Sequence, residues 1–342
     1  MQEHKQQKHN GKNPPTQHDS TQPSHSKKNH AKKQASHTDQ PKATQNGEQQ
    51  HLSNNHEQPH VLYGSLADAA LNNPQQYVTV SKLSQGFSEF ALAPTTEWIG
   101  QSIRLHTQKG LDIEIHCLDR CSCAVELIDS NQQHYSFSTQ INILMIREHL
   151  FFLDLIIPAH VLPIAQAVSL SVVFNTLKSI ATIVWGELPT PSEYELSTFY
   201  RASKNLPISA VKVEFLHASL NKDWQDAQAQ HAETDHLIGH RIKFRYSEND
   251  LYQHRYLNHN FYTWECLKGI EAGLCETDRC FYFAVGEQMY LFVWIEKIIP
   301  TLGAVILDLN AKRSHGKIFG YAGYESGQVC NFMVGSYVED MD

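Results

Sequence analysis

The sequence predicts a mainly β protein: two antiparallel eight-stranded barrels in tandem behind a disordered N-terminal tail. Three observations carry this. Short runs of alternating apolar and polar residues fill most of residues 98–186 at even spacing, the signature of closely spaced antiparallel strands. The same order of features restarts near Leu237. The first sixty residues contain no aromatic side chain and almost nothing apolar, so they cannot bury enough surface to offset chain entropy.

That tail, residues 1–60, carries eight lysines against five acids, a net of +3, which leaves −11 for the rest of the −8 chain. An acidic body argues against general nucleic-acid binding. Nine of the 21 histidines lie in the tail, scattered rather than spaced as ligands. The tail has no apolar run long enough for a secretory signal or a membrane span, so a cytoplasmic protein without membrane contact is expected. Seven cysteines, at 117, 121, 123, 266, 275, 280 and 330, show no complete zinc-ligand spacing. They read as free thiols in a reducing compartment, and no metal or cofactor is expected.

The first barrel is assigned to residues 61–190. Residues 62–73 suit a short helix ended by Asn72-Asn73-Pro74. Lys109-Gly110 turns between two alternating runs, a hairpin signal. Residues 191–235 read as a connection, punctuated by Pro191 and Pro207, with a short strand VKVEFL and a polar, helix-compatible stretch at 221–235. The second barrel takes residues 236–342. HLIGHRIKFRYSENDLYQHRYLN there echoes EWIGQSIRLHTQKGLDIEIHCLD in the first. FVWIEKIIP likewise echoes FFLDLIIP, which sets Asp154 opposite Glu296, each four residues before a proline. Internal duplication explains both matches, and eight strands can enclose one small ligand.

The second repeat holds the chemistry. Counting in twos, Tyr290, Phe292, Trp294 and Glu296 share one strand face. Phe244 and Tyr246 lie opposite a charged face, so they point inward, and Tyr252, His254 and Tyr256 share a face on the next strand. The expected lumen is a ring of aromatics around one acid, suited to a small planar or aromatic ligand. Desolvation would raise the Glu296 pKa and suit it to proton donation. Arg279 is the basic residue available to pair with it, and such pairing would make the acid a structural feature.

GLCETDRCFYF, YLFVWIEKIIPTLGAVILDL, GKIFGYAGYESG and NFMVGSY resemble the C-terminal domain of the molybdenum cofactor biosynthesis protein F (MoaF) family. A weaker likeness to that family's N-terminal domain covers residues 61–186. The resemblance implies two calycin-like (lipocalin-like) domains, a bacterial cytoplasmic setting and a link to molybdenum cofactor biosynthesis. More distantly, HLIGHRIKFRYSENDLYQH, VWIE and KRSHGKIF are similar to the small phenolic acid decarboxylases. That likeness implies Glu296 in proton transfer and Tyr246 on the substrate. Phe244 replaces a tyrosine of that pattern and Leu274 its arginine, so the grip on a carboxylate is missing.

The reading is therefore a small-molecule binder with its site in the second lumen. Glu296 and Tyr246 are the chemical residues. Trp294, Phe292, Tyr290, Phe244, His254, Tyr256 and Arg279 are the lining. An acid/base lyase using Glu296 is the alternative, and a protein-interaction module the second. A homodimer is an open option.

Overall fold

The computed structural model describes residues 77–342; the predicted tail and the predicted helix at 62–73 lie outside the described residues. Helix α1 (Val80–Phe87) comes first. Eight strands follow: β1 (Ser102–Thr107), β2 (Asp112–Cys117), β3 (Ser122–Ile128), β4 (His134–Arg147), β5 (Leu150–Ile157), β6 (Val168–Asn175), β7 (Ile180–Glu187) and β8 (Lys212–Leu220). Each pairs antiparallel with its neighbour, and β8 pairs back onto β1 to close the barrel. The predicted Lys109-Gly110 turn joins β1 to β2, with Gly110 at φ +74°, which glycine adopts without a Cβ penalty.

Between β7 and β8 the chain makes two short helices, α2 (Pro191–Tyr194) and α3 (Thr198–Ser203). Thr190 accepts from the Glu193 amide while the Glu193 carboxylate accepts from the Thr190 amide, a reciprocal cap. VKVEFL thus belongs to β8, the closing strand of the first barrel, rather than to a free connection. The 221–235 stretch forms bends and the two-residue strand β9 (Ala232–Glu233), not a helix.

The second barrel runs β10 (Arg241–Arg245), β11 (Leu251–Tyr256), β12 (Phe261–Lys268), β13 (Cys275–Gly286), β14 (Met289–Ile295), β15 (Thr301–Asp308), β16 (Arg313–Tyr321) and β17 (Val329–Met341). Pairing of β10 with β17 and of β12 with β13 makes its ring continuous, and β9 extends the other half of the β13 edge.

Three cores follow from the period of two. The first lumen is filled by Ile103, Leu105, Ile115, Leu153, Phe174 and their neighbours. The second is aromatic. The third lies between the barrels, where Leu144, Phe152 and Val184 share one cluster with Leu291, Val293 and Leu302. That is why β14 and β15 are buried on both faces.

This third core contains the acid expected in the first lumen. Leu153, Leu155 and Ile157 point into the first barrel, so Asp154 points out of it. Its carboxyl accepts from Ser171 at 2.8 Å and from Asn331 of the second barrel, and Lys317 Nζ lies 4.0 Å away. The proline match misaligned the repeats, because Lys297, Ile298 and Ile299 intervene before Pro300 whereas Pro158 directly follows β5. The lumen-facing position before Pro158 is Ile157, and the first lumen has no counterpart of Glu296.

Candidate functional site

The second lumen is built as the alternation requires. From β10 come Phe244 and, just beyond it, Tyr246; from β11 Tyr252 and Tyr256; from β14 Tyr290, Phe292 and Trp294, all in one buried cluster. The ring of His254 on β11 packs against Phe244, Phe292 and Trp294. Glu296 follows β14 in the same phase. Gly303 on β15 makes room for Trp294, since a Cβ there would lie 2.1 Å from the indole. The indole N–H then donates to Glu296 Oε1 at 2.8 Å.

Two further carboxyls share the lumen. Asp278 on β13 accepts from Trp264 Nε1 at 3.0 Å, and Glu271 accepts from the Tyr252 hydroxyl at 2.9 Å. Burial raises the pKa of Glu296 well above the carboxylate range, and the negative charge of Asp278 adds to it. Burial likewise raises Asp278 to about 6, against the opposing pull of Lys297. Glu271 is raised for the same first reason. His254, buried with no counter-charge, falls to about 3 and is neutral. The site therefore holds protonated acids at a pH where surface carboxyls are ionised.

Glu271 and Trp264 are not singled out by the sequence, and Thr277-Asp278-Arg279 reads there as an ion-paired turn. The structure puts those last three residues inside β13, with Asp278 ion-paired to Lys297. Glu276, Asp278, Cys280 and Tyr282 alternate in phase, and Cys280 and Tyr282 are lumen residues. Arg279 falls on the opposite face. It is exposed, stands over the rings of Phe261 and Phe281 at 5.8 and 5.6 Å, and does not reach Glu296. Strand alternation forbids neighbours 278 and 279 from sharing a face. Leu274, in the place of the decarboxylase arginine, is buried in the lumen cluster. No Lys or Arg lines the cavity beside Glu296.

That cavity is small. About 40 Å³ is open between Tyr246, His254, Trp264, Trp294, Glu271 and Glu296, enough for roughly two or three waters. Phe244, Tyr256, Phe292 and Tyr290 belong to the lumen cluster but do not border this space. Tyr290 points instead toward His236, at 3.4 Å.

The reason is α1. Phe87 stacks on Tyr246 with ring centroids 4.4 Å apart and planes within 7°, and meets Tyr252 edge-on at 5.1 Å. Gly86 lets the helix sit against the Asp250 side chain. Ser81 N donates to Ala322 O, and Ser88 Oγ to Met333 O. The helix that precedes the first barrel thus plugs the second. Inside, Tyr256 Oη and His254 Nδ1 are buried without a hydrogen-bond partner, an arrangement that costs free energy unless a water or ligand completes it.

Family comparison agrees with this two-barrel plan. Residues 75–190 match the MoaF N-terminal domain and residues 231–342 the MoaF C-terminal domain. The chain belongs to the MoaF family. Protein MoaF of Klebsiella aerogenes is 41% identical over 193 residues, 56% of this chain and 70% of that protein. The MoaF N-terminal match begins before α1, so the plug belongs to the matched region. A solved chain from Burkholderia vietnamiensis, described as a candidate beta-lactamase, aligns over 32% of this chain and 98% of its own. Its identity is 15% and its TM-score 0.27, too slight a likeness to carry an argument. Among the described residues no three His, Cys, Asp or Glu side chains gather as metal ligands, and no helix is long and apolar enough to cross a membrane.

Proposed function

We propose that this MoaF-family chain binds a planar small organic molecule in the lumen of its C-terminal barrel, in exchange for Phe87. The observation that carries the reading is the Phe87–Tyr246 stack. An aromatic ring from outside the barrel occupies a flat slot on the border of the cavity that Glu296 also lines. A ligand ring of similar size could take that slot once α1 withdraws. Its polar atoms would then meet the Glu296 carboxyl and His254 Nδ1, and Tyr256 lies behind. A protonated Glu296 donates a hydrogen bond to a carbonyl or ring nitrogen, which favours neutral, acceptor-bearing ligands over carboxylates. The family's link to molybdenum cofactor biosynthesis makes pterins the first class to try and phenolic acids the second.

The alternative, acid/base chemistry on an unsaturated substrate, draws on the same Glu296–Asp278 proximity. Two buried acids with raised pKa can hold and release one proton. The missing arginine weighs against a carboxylate substrate, because nothing in the lumen grips the leaving group.

The test is a thermal-shift titration of pterins and phenolic acids against wild type, Glu296→Gln and Phe87→Ala. A pterin shift in wild type, enlarged in Phe87→Ala and reduced at least several-fold in Glu296→Gln, supports the proposal. Equal shifts in wild type and Glu296→Gln would remove the acid from the site. No shift in Phe87→Ala, whose slot is empty, would remove the lumen. Release of carbon dioxide from a phenolic acid would promote the enzymatic reading.

A further inference from the structure

A second site lies outside the lumen. Between the α2–α3 segment with the start of β8 and the outer face of β12–β14 runs a groove of about 970 Å³. That is the volume of a small-molecule pocket. Its walls are mostly apolar: Leu206, Ile208 and Val211 on one side, Phe261, Phe281 and Ile295 on the other. Leu206, Ile208 and Phe261 are each about two-fifths exposed there, at 40%, 41% and 41%.

The charges in the groove do not balance. Glu193 is taken by Lys212 at 3.0 Å. Lys297 is held at 2.7 Å by Glu276 and at 3.2 Å by Asp278, whose carboxyl faces the lumen and only borders the groove. Two arginines are left over. Arg279, on the β13 wall, has its guanidinium over the faces of Phe261 and Phe281 and has no carboxylate partner among the described residues. Arg201, on the α3 wall, is only 7% exposed, and its Nε donates to the Pro207 carbonyl at 2.7 Å rather than to an acid. A buried guanidinium without a counter-charge is costly, and a planar cation backed by rings is pre-organised for a bidentate anion. We infer that this groove binds an organic anion with a flat apolar body, such as an aromatic carboxylate or sulfonate, whose charge is met by Arg279 and Arg201.

The site is independent of the lumen. Arg279 and Glu296 lie on opposite sides of the barrel wall, and the two sites call for different ligand charge: the lumen for a neutral molecule, the groove for an anion.

The probe is 1-anilinonaphthalene-8-sulfonate, titrated by fluorescence into the full chain. Expected are one saturable site and a Kd at least tenfold weaker in Arg279→Gln and in Ile208→Glu, which sets a carboxylate on the rim. Glu296→Gln should bind as wild type. Both groove positions are exposed, so the variants should keep the wild-type melting temperature to within a few degrees, read by circular dichroism. The uncharged analogue N-phenyl-1-naphthylamine should bind at least tenfold more weakly than the sulfonate. Absence of saturable binding, wild-type affinity in both groove variants, equal affinity for the neutral analogue, or loss of binding in Glu296→Gln would each overturn the assignment.

Discussion

The ring of Phe87 lies parallel to that of Tyr246 at 4.4 Å, although Phe87 precedes the whole first barrel and Tyr246 opens the second. Phe87→Ala should therefore act on the far barrel. Removing a buried phenyl ring costs about 3 kcal/mol, and the vacated slot adjoins the existing cavity. The expected outcome is a lower melting temperature by calorimetry, partly restored by millimolar indole or phenol. If these probes leave the variant unmoved, the slot collapses when emptied.

Gly303→Ala should disturb the acid at a distance. The added Cβ would lie 2.1 Å from the Trp294 ring, so the indole must leave its place and its bond to Glu296. Overpacking of this kind costs about 1–3 kcal/mol. Near-ultraviolet circular dichroism should show a changed tryptophan band, and urea unfolding the lower stability.

Asp278 makes stability depend on pH in an unusual direction. Its folded pKa, about 6, exceeds its ordinary value of 3.8, so between these values the folded state holds more protons than the unfolded. This acid accordingly stabilises the fold at low pH and loses that contribution as pH rises through about 6. Buried His254, at about 3, works the other way, because the unfolded chain binds its proton first. His231 and His315, each at about 4, do the same. Glu296 and Glu271, also raised by burial, act in the same sense as Asp278. Three acids thus oppose three histidines, and wild type should show a shallow profile from pH 4 to 6. In Asp278→Asn the acid's share is gone, and stability should climb with pH more steeply than in wild type, by on the order of 1 kcal/mol per pH unit. Urea melts across that range decide it; parallel profiles would mean that Asp278 titrates as a surface acid.

The barrel–barrel core offers a double-mutant test. Lys317 is fully buried, donates to Ser169, stands 4.0 Å from Asp154, and is lowered to about 8 by burial. Lys317→Met leaves Asp154 buried with Ser171 and Asn331 alone and should cost about 3–5 kcal/mol. Lys317→Met combined with Asp154→Leu should recover most of that loss. Additive losses in the double variant would show that the pair does not interact.

What could be read from the sequence was whatever alternation decides. The inward Tyr246, His254, Trp294 and Glu296 follow from a period of two, and Asp278 would have followed from the same count. Alternation is local, however. It does not reveal that the outer face of β5 meets the second barrel, and so could not place Asp154. Nor does it reveal where an eight-residue helix docks. The cavity was overestimated because the ring that fills it comes from outside the repeat.

The plug also imposes an order on assembly. Residues 80–87 leave the ribosome before any strand of either barrel, yet Val80 and Phe87 are buried only against a second barrel whose last strand, β17, ends at Met341. The first barrel needs nothing beyond β8 to close its ring. Contacts so distant in sequence form late, and throughout that interval the phenyl ring of Phe87 has no place to go. Sealing of the second lumen therefore waits on β17, and a chain interrupted anywhere in that strand would carry one finished barrel and an unclaimed helix.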